Sequence, residues 1–211
     1  MTHCIMEGMD TPVLRDAQPR RILIYGVTGS GKTTTARRLG ELTGIRWHEA
    51  DQLTWDPGWV MVSDELQRER IAAICAQDEW ILDTAYAKWM EFPLARVELI
   101  IGLDYSRTRT FWQLLKRTVA RSIDKKLVCN GNVETLKGMI SKESILIWHF
   151  KSFPRKQARM RKWASSDAEF EVKLFRSPIE LEMWMANLVL DRSRALIRDI
   201  QSNQDKRSIT P

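Results

Sequence analysis

Hydrophobic residues along the chain follow two alternating rhythms. Arg21 to Tyr25 is a short β-rich run, Trp80 to Leu82 and Val97 to Leu103 are apolar runs with the pattern of strands covered on both faces, and Ile45 to Ala50 and Phe170 to Phe175 read as two further short strands. Between them, apolar stripes at helical spacing predict helices. One runs from Thr33 to Leu42 and closes at Gly44; another starts at an Ser63 N-cap and carries Leu66, Ile71 and Ile74 as its stripe. A long basic helix spans about Ser106 to Arg121, and a further one Glu143 to Lys151 with Trp148 on its apolar side. The last opens at Pro178 and buries Leu181, Trp184, Met185 and Leu188. Strands alternating with helices predict an α/β fold built on a doubly wound parallel sheet of about five strands. Residues 1–20 show neither period and read as a flexible leader, residues 21–190 as one domain with a basic helical lid at about 105–162, and residues 191–211 as a polar C-terminal helix or tail.

Composition narrows the class. At 44% hydrophobic and 28% charged over 211 residues, the chain can bury a core, and its apolar runs fall short of the roughly 18 residues a membrane span needs. Glu7 and Asp10 stand where a signal peptide carries its basic start, so a cytoplasmic protein is expected. Cys4, Cys75 and Cys129 are odd in number and far apart, which predicts free thiols rather than disulfides or a zinc site. Charge is uneven. Residues 105–162 hold 15 Lys and Arg against three acids, a surplus of +12 in a chain whose net charge is +6. A basic segment on a neutral or acidic body attracts phosphates, whether those of a nucleotide, a nucleic acid or a membrane surface.

The strongest chemical signal lies where the first strand meets the first helix. Gly26-Val27-Thr28-Gly29-Ser30-Gly31-Lys32-Thr33 satisfies GxxxxGK[ST] in the strand, loop, helix context that a phosphate-binding loop requires. Glycines allow backbone N–H groups to converge on phosphate oxygens, and the helix that follows offers them its positive end. Gly26, Thr28, Gly29, Ser30, Gly31, Lys32, Thr33 and Thr34 are therefore the candidate nucleotide-binding residues, with ATP and Mg²⁺ as the expected cofactors. Lys32 is expected to bridge the outer phosphates and Thr33 to hold Mg²⁺. A second acid should complete the metal site, and Asp83 at the end of an apolar run is the first candidate, with Asp104 behind it. Neither is followed by Glu, which disfavours a motor ATPase, and no Asn-Lys-x-Asp run is present to read guanine.

A phosphoryl acceptor would sit beyond the carboxyl ends of the strands. Glu49 and Asp51, spaced i, i+2 at a strand end, are candidates to orient an acceptor or take its proton. Trp55 and Trp59 are candidates for a substrate platform among nine tryptophans, most of which must be structural. Arg117 and Arg121, one helical turn apart, are placed to neutralise a transferring phosphoryl group. Arg155, Lys156, Arg159, Arg161 and Lys162 form a denser cluster, read as a solvated basic face or a nucleic-acid contact, and His149 is read as a packed histidine.

In order, the loop, Asp51 to Trp59 (DQLTWDPGW), Trp80 to Asp83 with Tyr86, the basic helix after Asp104, Asn130-Gly131-Asn132, Ile147-Trp148 and Leu174 to Pro178 (LFRSP) resemble the adenylate-kinase-like P-loop proteins, a group that includes those called DNA topology modulation proteins. The resemblance covers about residues 21–190. It implies a five-stranded parallel core with a mobile lid, ATP and magnesium, Arg117 and Arg121 as lid arginines, Tyr86 on the substrate side, and Arg176 in the loop approaching the adenine. Two positions depart from the family pattern. Asp83-Thr84-Ala85-Tyr86 stands in place of Asp-Gly-Asn-Tyr, and Ala87 and Lys88 follow where adenylate kinases place an AMP-gripping arginine. The expected activity is transfer of the ATP γ-phosphate to a hydroxyl or phosphate of a small molecule or nucleotide. The alternatives are an NTPase associated with nucleic acid through residues 155–162 and an ATP-binding regulator with little turnover.

Overall fold

The computed structural model describes residues 18–84, 86, 88–124, 127–128, 130, 132–133 and 145–208. Most of the expected leader, Cys4, Ala85, Ala87, Cys129, Gly131 and the first two residues of the helix expected from Glu143 lie outside the described residues.

Five strands form one parallel sheet: β1 (Arg21–Gly26), β2 (Trp47–Glu49), β5 (Trp80–Thr84), β6 (Leu99–Leu103) and β9 (Glu171–Phe175), in the order β2-β5-β1-β6-β9. Two short hairpins, β3 (Trp55–Asp56) with β4 (Val60–Met61) and β7 (Leu127–Val128) with β8 (Asn132–Val133), stand apart from it. The helices are α1 (Lys32–Thr43), α2 (Ala50–Thr54), α3 (Asp64–Cys75), α4 (Glu91–Leu94), α5 (Arg107–Asp124), α6 (Ile145–Ala164) and α7 (Pro178–Ser208). The doubly wound α/β fold expected from the alternation is the one observed.

Alternation within the central strand explains the two layers. Ile22 and Ile24 of β1 join Ala36 and Leu39 of α1 and Leu181 and Met185 of α7 in one core, while Leu23 and Tyr25 join Ile71 and Ile74 of α3 and Met160 of α6 in the other. A strand sandwiched this way needs apolar side chains at every position, hence the uninterrupted runs in the sequence. From central β1 the chain goes out to the edge at β2, returns to β5, then crosses to β6. The order reverses beside β1, so the crevice that such sheets use for ligands opens at the loop after β1.

Helix ends follow local chemistry. The Ser63 hydroxyl accepts from Leu66 N at 3.3 Å at the start of α3, and Gly44 N donates to Gly40 O at 2.8 Å at the end of α1. At α7, Ser177 and Glu180 form a reciprocal capping box around Pro178, with Glu180 N donating to Ser177 Oγ at 3.3 Å and Arg176 N to Glu180 Oε2 at 2.8 Å. The expected α7 stripe is in place, and the helix continues through the polar residues to Ser208.

Two expected stripes need correction. In α3, Leu66 is exposed and Gln67 takes the inner position, because its side-chain amide donates to Val62 O at 2.6 Å and a paired amide can be buried. In α6, Trp148 lies half in solvent and His149 is fully buried instead. The inner face of α6 runs His149, Ser152, Phe153, Lys156, Met160, a helical stripe containing three polar residues.

Buried Cys75, the last residue of α3, lies in one core layer with Trp80 and Leu82 of β5, and desolvation pushes its thiol up to about 12. The thiolate is the reactive species. Cys75 is accordingly expected to resist maleimide in the native protein at pH 8 and to label only on unfolding, as read by peptide mass mapping.

Candidate functional site

The loop between β1 and α1 has the geometry of an anion cradle. Gly29 and Gly31 take φ of 83° and 91°, values that L side chains rarely adopt. Ser30 N bonds Val27 O at 3.2 Å and the Lys32 ammonium curls back to the same carbonyl at 3.2 Å. A Cβ on Gly31 would meet nothing within 4 Å, whereas one on Gly29 would stand 2.5 Å from Thr110 O and 2.9 Å from Leu114 Cβ. One side of the loop is thus open and the other is pressed against α5. Thr34 is exposed on the first turn of α1.

Across the sheet, the Thr33 hydroxyl donates to Asp83 Oδ2. Asp83 is 5% exposed near the end of β5, directly beside β1. Burial raises its carboxyl to about 6, while the Lys32 charge and the Thr33 hydrogen bond pull the other way. The pairing supports Asp83, rather than Asp104, as the second acid of the loop.

Asp104 has a different task. Its carboxylate, with a side chain only 2% exposed, accepts from Gln157 Nε2 and Arg161 Nε, each at 2.8 Å, and so anchors α6 to the end of β6. The Asp104→Ala variant is expected to lose about 2 kcal/mol of stability, the worth of hydrogen bonds to a charged group, with nucleotide affinity changing far less. Chemical denaturation and a binding titration on the same preparation separate the two.

Glu49 and Asp51 both reach this end of the sheet, but not as a strand pair. The strand ends at Glu49, which is the register partner of Asp83, and Asp51 belongs to α2. Helix geometry, not strand alternation, therefore places Asp51. Its Oδ1 accepts from the Tyr86 hydroxyl at 2.8 Å, and burial first, then the Asp51 charge, raises the Tyr86 phenol above its ordinary range. Glu49 is half-buried and its carboxyl is raised, first by desolvation, then by Asp83 and Asp51. Three carboxylates thus share one field.

Cations answer them from α5. Arg117 acts on Asp83 and Arg121 on Glu49, each favouring the ionised carboxylate. The Asn130 amide, a little beyond α5, donates to Gln52 O at 2.9 Å and Trp55 O at 2.8 Å, tying that chain segment to the acceptor side. Trp55 and Trp59 meet edge to face at 5.8 Å on the β3–β4 hairpin, where Trp59, Val60 and Met61 are exposed. Arg176 lies exposed at the α7 start, its backbone engaged in the capping box.

The basic cluster on α6 does not act as one surface. Arg155 and Lys162 point outward, Arg159 reaches the Tyr25 hydroxyl at 3.4 Å, Arg161 is held by Asp104, and Lys156 is buried. Two residues of α6 join the site without having been singled out for it. His149 Nδ1 lies 3.1 Å from Thr28 O; a carbonyl only accepts, so the proton sits on Nδ1, and Nε2 faces the Thr110 hydroxyl at 3.4 Å. Burial lowers the His149 pKa, so the ring is a neutral brace between loop and α5. Lys156 lies within the electrostatic field of both Lys32 and Asp51. The signal in the sequence is the spacing: His149, Ser152 or Phe153, and Lys156 recur on one helical face.

No helix among the described residues is long and apolar enough to cross a membrane. No protein-family model matches the chain and no curated protein does. Among solved structures, a gluconokinase from Sinorhizobium meliloti 1021 superposes at 15% identity with a TM-score of 0.46, covering 89% of this chain and 97% of that one. A shikimate kinase from Bacteroides thetaiotaomicron gives 13% identity and 0.47, covering 86% and 99%. A sugar kinase from Janibacter sp. HTCC2649 gives 17% and 0.45, covering 82% and 95%.

Proposed function

We propose that the protein is an ATP-dependent phosphotransferase that moves the γ-phosphate to a hydroxyl of a small molecule. The observation that carries this reading is the Thr33 hydroxyl on the buried Asp83 carboxylate beside a left-handed glycine loop, with Asp51, Glu49 and Tyr86 on the facing side. The residues present fit the nucleotide and its ion. Open space lies over Gly31, Lys32 is committed to nothing stronger than one carbonyl, and Thr33 with Asp83 offers the hard oxygen donors magnesium prefers. Thr33 and Asp83 would hold Mg²⁺, which supplies charge neutralisation at the phosphates.

This chain's own groups do the rest. The loop amides and Lys32 bind and orient the polyphosphate, and Arg117 and Arg121 offset charge as it shifts towards the acceptor. Asp51, one oxygen held by Tyr86, keeps the other for an acceptor hydroxyl and its proton. Glu49 and Asp51 together would repel an anionic phosphate acceptor, which favours a neutral hydroxylated one. Trp55 and Trp59 offer it a flat apolar wall.

Transfer of labelled γ-phosphate from ATP into a panel of nucleosides, nucleotides and hydroxylated metabolites tests the reading. One or more hydroxyl acceptors should label, and Asp51→Asn should cut that transfer about 100-fold or more with ATP affinity retained. Binding of ATP without labelling of any acceptor, or full transfer by Asp51→Asn, would overturn it.

A further inference from the structure

A loop that binds phosphate through backbone N–H groups must keep its own carbonyls turned away, because a carbonyl oxygen facing a phosphate repels it. Val27 O is kept within the loop by Ser30 N and the Lys32 ammonium, each at 3.2 Å. Thr28 O is held from outside the loop by His149 of α6, whose Nδ1 lies 3.1 Å away. The Thr28–Gly29 peptide is trans, so its N–H points opposite to its C=O. With Thr28 O directed at α6, the Gly29 N–H is directed away from it, and among the described residues it donates to no backbone carbonyl. This peptide can turn over at low steric cost, since the rotation changes chiefly ψ of Thr28 and φ of Gly29, and glycine accepts either sign of φ. The surroundings of His149 make its one contact strong. The ring is fully buried, and those of Phe111, Phe150 and Phe153 lie 6.2, 5.7 and 5.7 Å from it, apolar walls that strengthen a hydrogen bond and raise the cost of losing it. Thr110, the residue whose carbonyl stands against Gly29, also faces the ring, its hydroxyl 3.4 Å from Nε2.

We propose that His149 is a positioning residue for the nucleotide: by holding Thr28 O, it locks the Thr28–Gly29 peptide with its N–H facing the phosphates. The inference rests on the nucleotide-binding reading above and adds to it a residue, distant in sequence, that sets the direction of a loop dipole. His149 itself touches no phosphate and acts through the peptide. Without its N–H the peptide is free to turn over, which puts Thr28 O where the Gly29 N–H had been and turns an attraction for the polyphosphate into a repulsion. The neutral ring carries a single N–H, and Thr28 O takes it.

Titration calorimetry with magnesium and a non-hydrolysable ATP analogue compares wild type, His149→Asn and His149→Leu, with chemical denaturation of each beside it. Asparagine sets its amide nitrogen where the imidazole Nδ1 stands and keeps the donor, whereas leucine fills the space and deletes it. Both variants should lose stability. Only His149→Leu should lose affinity, about 10-fold to 100-fold, the worth of one hydrogen bond to a charged group, with His149→Asn within about 3-fold of wild type. In wild type itself, nitrogen NMR of isotope-labelled histidine should show Nδ1 of His149 as the protonated nitrogen, its signal assigned among three histidines by its absence from His149→Asn. Wild-type affinity in folded His149→Leu, an equal loss in both variants, or an Nε2–H tautomer in wild type overturns the role of His149 while leaving the nucleotide site standing. Absence of wild-type binding would instead remove the nucleotide site and this inference with it.

Discussion

Lys32→Met should lower phosphoryl transfer by about 1,000-fold or more while leaving the fold intact. The asymmetry comes from what the side chain touches. In the protein alone, the Lys32 ammonium makes a single 3.2 Å bond to Val27 O, and the side chain is only half-buried, so its loss removes little folding energy. With a polyphosphate in the cradle, the same ammonium is the nearest fixed cation to the outer phosphates, in a site walled by α5 and the sheet where charge is poorly screened. Methionine keeps the aliphatic length and deletes only the charge. A transfer assay beside a thermal melt is the measurement, and an unfolded variant would show that the lysine has a structural task.

Gly29→Ala should cost about 2–4 kcal/mol and disturb nucleotide binding, whereas Gly31→Ala should cost about 1–2 kcal/mol. Both glycines have left-handed backbone, and an alanine in either place carries that strain. Only Gly29 adds a collision, and it is with backbone: a Cβ would stand 2.5 Å from Thr110 O, beside the fully buried Leu114. Neither group is the loose end of a flexible side chain. Relief requires α5 to move off the loop, and α5 carries Arg117 and Arg121 and touches His149 through Thr110. Denaturant midpoints for the two variants, measured side by side, check the difference; equal losses would mean that α5 is not seated on the loop.

The parts legible along the chain are those decided by neighbours in sequence. A strand covered on both faces needs an unbroken apolar run, so β1, β5 and β6 announce themselves. The phosphate loop is equally local, since every glycine, lysine and threonine it uses lies within eight positions. Caps are local too, as at Ser63 and Pro178. Where legibility ended, a partner distant in sequence had decided the matter. Leu66 and Gln67 exchange places because Val62 offers a carbonyl to an amide. His149 rather than Trp148 turns inward because Thr28, 121 positions earlier, offers one to an imidazole. Hydrophobicity alone ranks both pairs the wrong way. Asp83 and Asp104 both follow apolar runs, and no local feature separates them; one meets Thr33 and the other Arg161.

The sequence by itself determined the layered sheet and the cradle at the end of its central strand, because periodicity and backbone permissiveness are properties of consecutive residues. Only the tertiary structure decided which charges surround that cradle. Parallel strand order sets Asp83 and Glu49 side by side, α2 brings Asp51 across, and the register of α6 takes Lys156 out of a basic run and buries it. Electrostatic energy depends on distance through space and on exclusion of water, and neither quantity is written in the spacing of residues along the chain.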